Sequence, residues 1–249
     1  MANNLKRLGL RRSAPDSRDR LHTSSDSELR KIVDLREWDS EIEDQGDLGS
    51  CVSHAITTAY EVMLKLQHPE KFVELSRLFV YYNARLLENS INEDVGATLR
   101  KALKGTEKYG ICTEALWPYD VSKFTVQPPE KCYLDGQTRT IQNYRTLNSS
   151  EDMFKVLNNN TPVLIGCSVY DSFYDVNINN PIIPLPTTYD NYSGEHAMCV
   201  LGYDLEKKLF LVKNSFGTSW GFEGYAWLPF KYTKEQVFER WCFDIKLNK

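Results

Sequence analysis

The sequence predicts an α+β protein whose helices come before its strands. From Cys51 onward, Val52, Ala55, Ile56, Ala59, Tyr60 and Met63 recur at helical spacing and mark one buried face. After about residue 138 the texture changes to short β-rich runs at 162–170, 196–203, 209–213 and 224–228, broken by turn residues, with a last strand at 241–247. The composition supports a packed core, since 41% of the 249 residues are hydrophobic and 12% aromatic, which argues against a disordered chain.

Taken in order, residues 1–31 form a basic N-terminal extension. They hold eight Lys/Arg and four Asp/Glu, a balance of +4 that leaves −8 for the rest of a chain whose net charge is −4. The stretch Pro15-Asp-Ser-Arg favours extended backbone, since proline disfavours helix in the residue before it. The body, 32–249, begins with a turn-rich loop, Asp44-Gln-Gly-Asp-Leu-Gly-Ser50, ahead of the Cys51 helix. Ser50 or a nearby polar residue is expected to cap that helix. Further helices are expected at about 76–88 and 96–109, and a short one at about 150–158 interrupts the strands. This divides the body into a helical lobe at about 45–137 and a β-rich lobe at about 138–247.

Several function classes drop out. A net charge of −4 excludes a strongly basic chain that grips nucleic acid through bulk electrostatics. No apolar run approaches the roughly 18 residues that a membrane helix needs. The first twenty residues are basic but lack an apolar core, so they do not read as a secretory signal. The six cysteines (51, 112, 132, 167, 199 and 242) are therefore expected to be reduced thiols in an intracellular setting. The glycosylation-like triplets at Asn148, Asn159 and Asn191 then count as chance matches.

The informative constellation is one cysteine, one histidine and one asparagine, in that order. Cys51 sits where a glycine-bearing loop meets a helix start. The free N–H groups and partial positive charge there favour a thiolate, the nucleophilic form of cysteine. A histidine beside it can take the proton, and an asparagine carbonyl can hold the imidazole in the useful tautomer. A glutamine just before the cysteine, with the cysteine's own N–H, can bind an oxyanion. His54 lies three residues after Cys51 on the same helix and is expected to point along it, not at a substrate.

Gln45-Gly-Asp-Leu-Gly-Ser-Cys51, Gly194-Glu-His196-Ala and Lys213-Asn214-Ser-Phe-Gly-Thr-Ser-Trp220-Gly together resemble the papain family of cysteine peptidases, as does Asp34-Leu-Arg36 at the start of the body. His196 follows Cys51 by 145 residues (196 minus 51), inside the family's interval of roughly 130–150. The resemblance covers about residues 32–247 and implies a two-lobe fold with an antiparallel, β-barrel-like second lobe and the active site between the lobes. It implies Cys51 as nucleophile, His196 as general base and acid, Asn214 as the group orienting His196, and Gln45 in the oxyanion hole. It also implies Trp220 as a shield over the His–Asn bond, and Gly96 as a backbone partner for extended substrate. Glu195, beside His196, is either a surface carboxylate or part of the substrate pocket.

Four departures from the family's pattern stand out. Leu48 replaces a cysteine, so a local disulfide cannot form. Val52 replaces an aromatic, and Phe216 replaces a tryptophan. Only about thirty residues precede the body, where the family has a long inhibitory pro-segment. This pattern resembles the signal-less, cathepsin-like branch in microbes and large DNA viruses, which implies an intracellular (cytoplasmic) or virion-associated enzyme.

The expected function is hydrolysis of peptide bonds in a peptide or protein substrate by a monomer, with no cofactor or metal and no nucleic-acid or membrane partner. The extension is expected to lie along the cleft, as the family's pro-segments do, with a structural strap or a free tail as alternatives. Two rival functions are a catalytically silent peptide-binding module and a zinc site built from Cys51, His54, His196 and Cys199.

Overall fold

The computed structural model describes residues 6–23 and 28–248, so expectations that fall on 1–5, 24–27 and 249 lie outside the described residues. The body opens with strand β1 (Ile32–Asp34), followed by helices α1 (Cys51–Gln67), α2 (Arg77–Leu86), α3 (Leu99–Tyr109) and α4 (Glu130–Gly136). Next come β2 (Arg139–Thr146), α5 (Ser150–Asn158), β3 (Val163–Tyr170), β4 (Tyr192–Asp204), β5 (Leu209–Lys213), β6 (Tyr225–Pro229), α6 (Phe230–Glu235) and β7 (Val237–Leu247). The seven strands form one antiparallel sheet in the order β2-β7-β3-β4-β5-β6, with β1 paired to β4. This is the expected α+β architecture of helices first and strands later.

Helix α1 is the spine of the molecule. Every residue from Cys51 to Leu64 is buried, so it is apolar or internally satisfied on all sides, not only along one stripe. Its start differs from expectation. Ser50 precedes it, but its side chain gives no capping bond and instead meets the Tyr119 hydroxyl at 2.6 Å. The first amides of α1 are thereby left to act on Cys51. Helices α2 and α3 follow the usual rule, with the Ser76 and Thr98 side chains accepting from Phe79 and Lys101 N–H, and Ser149 and Asp152 close a capping box on α5.

Two ion pairs are buried in the body. Arg77 meets Glu61 at 3.0 Å, and Lys213 meets Asp39 at 2.9 Å while also donating to the Ser40 and Glu41 carbonyls. Lys213 ends β5, so this anchor holds the chain still one residue before Asn214. Losing one partner of such a pair leaves an uncompensated buried charge, at a cost of about 3–5 kcal/mol. All six cysteines are free and buried. No helix among the described residues is long and apolar enough to cross a membrane.

Candidate active site

Cys51 stands at the first turn of α1 and is wholly buried. His196 lies on β4 and Asn214 just beyond β5. The antiparallel pairing of these two strands brings the pair together, with His196 Nε2 to Asn214 Oδ1 at 2.7 Å. The same Oδ1 accepts the Ser215 N–H at 2.8 Å, so this oxygen is an acceptor twice over and the shared proton belongs to His196 Nε2. His196 Nδ1 is then the bare nitrogen. It is buried and has no hydrogen-bond partner within the described residues. The Ala197 N–H, next along β4, acts on the Cys51 sulfur, which sets this part of the strand across the cysteine.

Gln45 is clamped by Ser215, whose hydroxyl donates to Oε1 at 2.5 Å and whose carbonyl accepts the Gln45 N–H at 2.9 Å. Its Nε2 donates to the carbonyls of Leu48 (2.8 Å) and Arg7 (2.9 Å). The ring packed on His196 is not Trp220 but Phe216, at 4.9 Å between centroids, with Phe173 at 5.9 Å. Trp220 lies behind, tilted on Phe173 at 5.0 Å and donating to the Phe173 carbonyl at 3.1 Å. Phe173 escaped sequence reasoning because it lies on a short 3-10 turn outside any motif.

The groove over this site is filled by the chain's own extension. The Ala97 N–H donates to the Gly9 carbonyl (2.9 Å), the Arg11 N–H to the Ala97 carbonyl (3.0 Å), and the Leu10 N–H to the Glu195 carbonyl (3.4 Å). Residues 9–11 thus bridge the helical side and the β side of the cleft. The strand-like pairing falls to Ala97, while the Gly96 N–H faces the Tyr81 hydroxyl at 3.2 Å. Gly96 is needed for another reason. Its φ is +73°, and a Cβ there would lie 2.0 Å from the Gly9 carbonyl oxygen. Farther on, the extension ties to both lobes, where Asp19 pairs with Arg100 of α3 and the His22 N–H donates to the Thr146 carbonyl of β2 at 2.9 Å.

Burial disfavours charge on both Cys51 and His196. Desolvation pushes the Cys51 thiol up to about 11, against opposing help from the backbone N–H groups of Ala197, Gly9, Val52 and Cys51 itself. Desolvation also pushes His196 down to about 4, opposed by its bond to Asn214. Burial thus favours the neutral form of each group over its charged form.

His54 points along α1 as expected. Its Nδ1 meets the Ser50 carbonyl at 3.0 Å, and burial lowers its pKa to about 3. Among the described residues no group of three or more His, Cys, Asp or Glu side chains is placed to hold a metal ion.

The two buried histidines make a stability prediction. Both have folded-state pKa values far below an unfolded value of about 6.5, so unfolding takes up protons once the pH drops below that value. Stability is full above about pH 6.5 and falls as the pH drops towards 4. At pH 4.5 the penalty is at most about 3 kcal/mol per histidine. Thermal melts should show a lower Tm at pH 4.5 than at pH 7, and His54→Gln should remove part of the difference.

A helical lobe that presents a cysteine at a helix start to a histidine and asparagine on an antiparallel sheet defines the class of papain-like cysteine proteases. A family model described as papain family cysteine protease matches residues 29–239. The chain belongs to the papain family of cysteine proteases. It is 39% identical over 219 residues to an uncharacterized peptidase C1-like protein of Acanthamoeba polyphaga mimivirus, covering 84% of this chain and 70% of that one. A cysteine protease of Blomia tropicalis is 24% identical over 195 residues, and there the chain spans 56% of its relative's length. Among solved structures, xylellain, a cysteine protease from Xylella fastidiosa, superposes with a TM-score of 0.88 at 31% identity, covering 96% of this chain and 98% of that one. The family acts on peptide or protein substrates.

Proposed function

We propose that the chain hydrolyses peptide bonds through a thioester formed on Cys51. The observation that carries this reading is the tautomer at His196: with Nε2–H committed to Asn214, Nδ1 is the only ring nitrogen able to take a proton. In the open cleft the Cys51 thiol passes its proton to Nδ1, and the sulfur attacks the scissile carbonyl carbon. The Gln45 Nε2–H and the Cys51 N–H receive the charge that develops on the carbonyl oxygen. The C–N bond breaks as the imidazolium protonates the leaving amine. Water, deprotonated by His196, then cleaves the thioester and frees the carboxylic acid and the thiol. Asn214 orients the ring, and Phe216 and Phe173 keep water from the His–Asn bond.

The extension acts as an inhibitory plug. The hydrogen bonds of residues 9–11 to Ala97 on one wall and Glu195 on the other support this. The test is labelling by a peptidyl epoxide or vinyl sulfone, followed by peptide mapping. We expect modification confined to Cys51, slow in the native chain and faster when the arm is displaced. An unlabelled Cys51 in a folded chain with a displaced arm would leave the peptide-binding module as the reading.

A further inference from the structure

The arm is an imprint of what the cleft binds. Its sequence from 6 to 12 is Lys-Arg-Leu-Gly-Leu-Arg-Arg, with apolar side chains between two basic pairs. Each of the four cations meets a different carboxylate of the body. Lys6 pairs with Asp44 at 2.7 Å, Arg7 with Asp94 at 3.0 Å, Arg11 with Glu88, and Arg12 with Glu195 at 2.8 Å. Leu10 is buried between the walls, and Leu8 packs against Gly194.

These carboxylates do not depend on the arm for their positions. Asp94 accepts the Gly49 N–H at 3.1 Å and the Tyr81 hydroxyl, and Glu88 accepts the Thr98 N–H at 3.1 Å and its hydroxyl at 2.7 Å. Glu195 accepts the Tyr192 hydroxyl at 2.8 Å, and Asp44 accepts the Gly46 N–H at 2.8 Å. Three of the four are less than one-fifth exposed, while their arginine partners stay roughly half exposed. Carboxylates held by body donors remain in place when the arm leaves, whereas the arginines leave with it and can be replaced by those of another peptide. With the arm displaced, both walls of the cleft present anchored negative charge around an apolar centre.

We infer that the open cleft selects basic peptides, with Glu88, Asp94 and Glu195 as specificity-determining residues and Asp44 adding to the field at the rim. This rests on the cleft over Cys51 being the substrate site. The selected sequence carries Arg or Lys on either side of one or two apolar residues. Such a field also attracts basic segments before contact, so selectivity is strongest at low ionic strength.

The test uses the full chain carrying Gly9→Val, Arg11→Ser and Arg12→Ser, so that the arm neither seats nor competes, with Cys51→Ser added for binding measurements. Two fluorescein-labelled peptides are compared by anisotropy, one with the sequence of residues 6–12 and one with glutamate at its four basic positions. We expect the basic peptide to bind at least about tenfold more tightly in 20 mM salt, and the gap to close severalfold by 0.5 M salt. Glu88→Gln with Glu195→Gln should cut the preference severalfold. Equal binding of the two peptides overturns the inference, and that comparison needs no change in the cleft itself. If the basic peptide binds selectively but the chain with Cys51 intact cleaves nothing, the hydrolytic mechanism fails and the charge selectivity stands.

Discussion

Cys51→Ser should lose turnover by at least about 10⁴-fold while keeping its melting temperature within a few degrees. Oxygen and sulfur are close enough in size for the start of α1 to pack unchanged, but a serine hydroxyl is scarcely ionised near neutral pH and is a poor nucleophile without a strong base. His196→Ala should cost a comparable factor, because no other ring reaches the proton. His54→Gln should stay near wild type, since His54 is bonded to the Ser50 carbonyl inside α1. A steady-state assay with a fluorogenic peptide decides all three. Near-native turnover in Cys51→Ser would remove the cysteine as nucleophile, and a large loss in His54→Gln with none in His196→Ala would move the base onto the helix.

Gly9→Val, in the otherwise intact chain, should raise the rate on a small peptide by roughly 10–100-fold. A Cβ at Gly9 would lie 1.9 Å from the Gly49 carbonyl oxygen and 2.2 Å from its carbon. Both are backbone atoms of the loop before Cys51, so no side-chain rotation relieves the clash. Overpacking of this kind costs about 1–3 kcal/mol, and here that penalty falls on the closed state alone. The body does not feel the substitution once the arm has lifted. Salt should narrow the difference from the other side. The four arm–cleft ion pairs are partly exposed, each contributes about 0.2–1 kcal/mol, and their screening loosens the native arm while leaving Gly9→Val little changed. The pH at which Cys51 reacts with a small alkylating agent should shift as well. Desolvation holds the covered thiol near 11, so alkylation of the native chain rises only at high pH, and displacing the arm moves that rise downward. Equal rates for Gly9→Val and the native chain would rule out the plug.

Periodicity located the long elements, because a helix or strand that buries one consistent face writes that face into the residue order. The expected helices at about 76–88, 96–109 and 150–158 correspond to α2, α3 and α5, and all five expected strands are present. The elements left unpredicted are α4, α6, β2 and the three-residue β1. The two helices are only seven and six residues long, too short to show a repeat. β2 alternates poorly because its register with β7 shifts between Gln142 and Arg145. Ser50 was expected to cap α1 from its position, but Tyr119, nearly seventy residues away, takes its hydroxyl.

The sequence by itself determined the α+β class, the identity and order of Gln45, Cys51, His196 and Asn214, and the opposite charges of arm and body. These follow from local residue chemistry and from spacing along the chain. Only the tertiary structure decided that Ala97 and not Gly96 pairs with the extended strand, that Phe216 and Phe173 rather than Trp220 wall the histidine, and that the arm's four cations find four separate carboxylates. It also decided how completely the site is buried. Burial disfavours the charged forms of the thiol and the imidazole that local motifs present as an ion pair. Solvent exclusion depends on everything packed around a group, which the neighbours of Cys51 and His196 in the chain do not record.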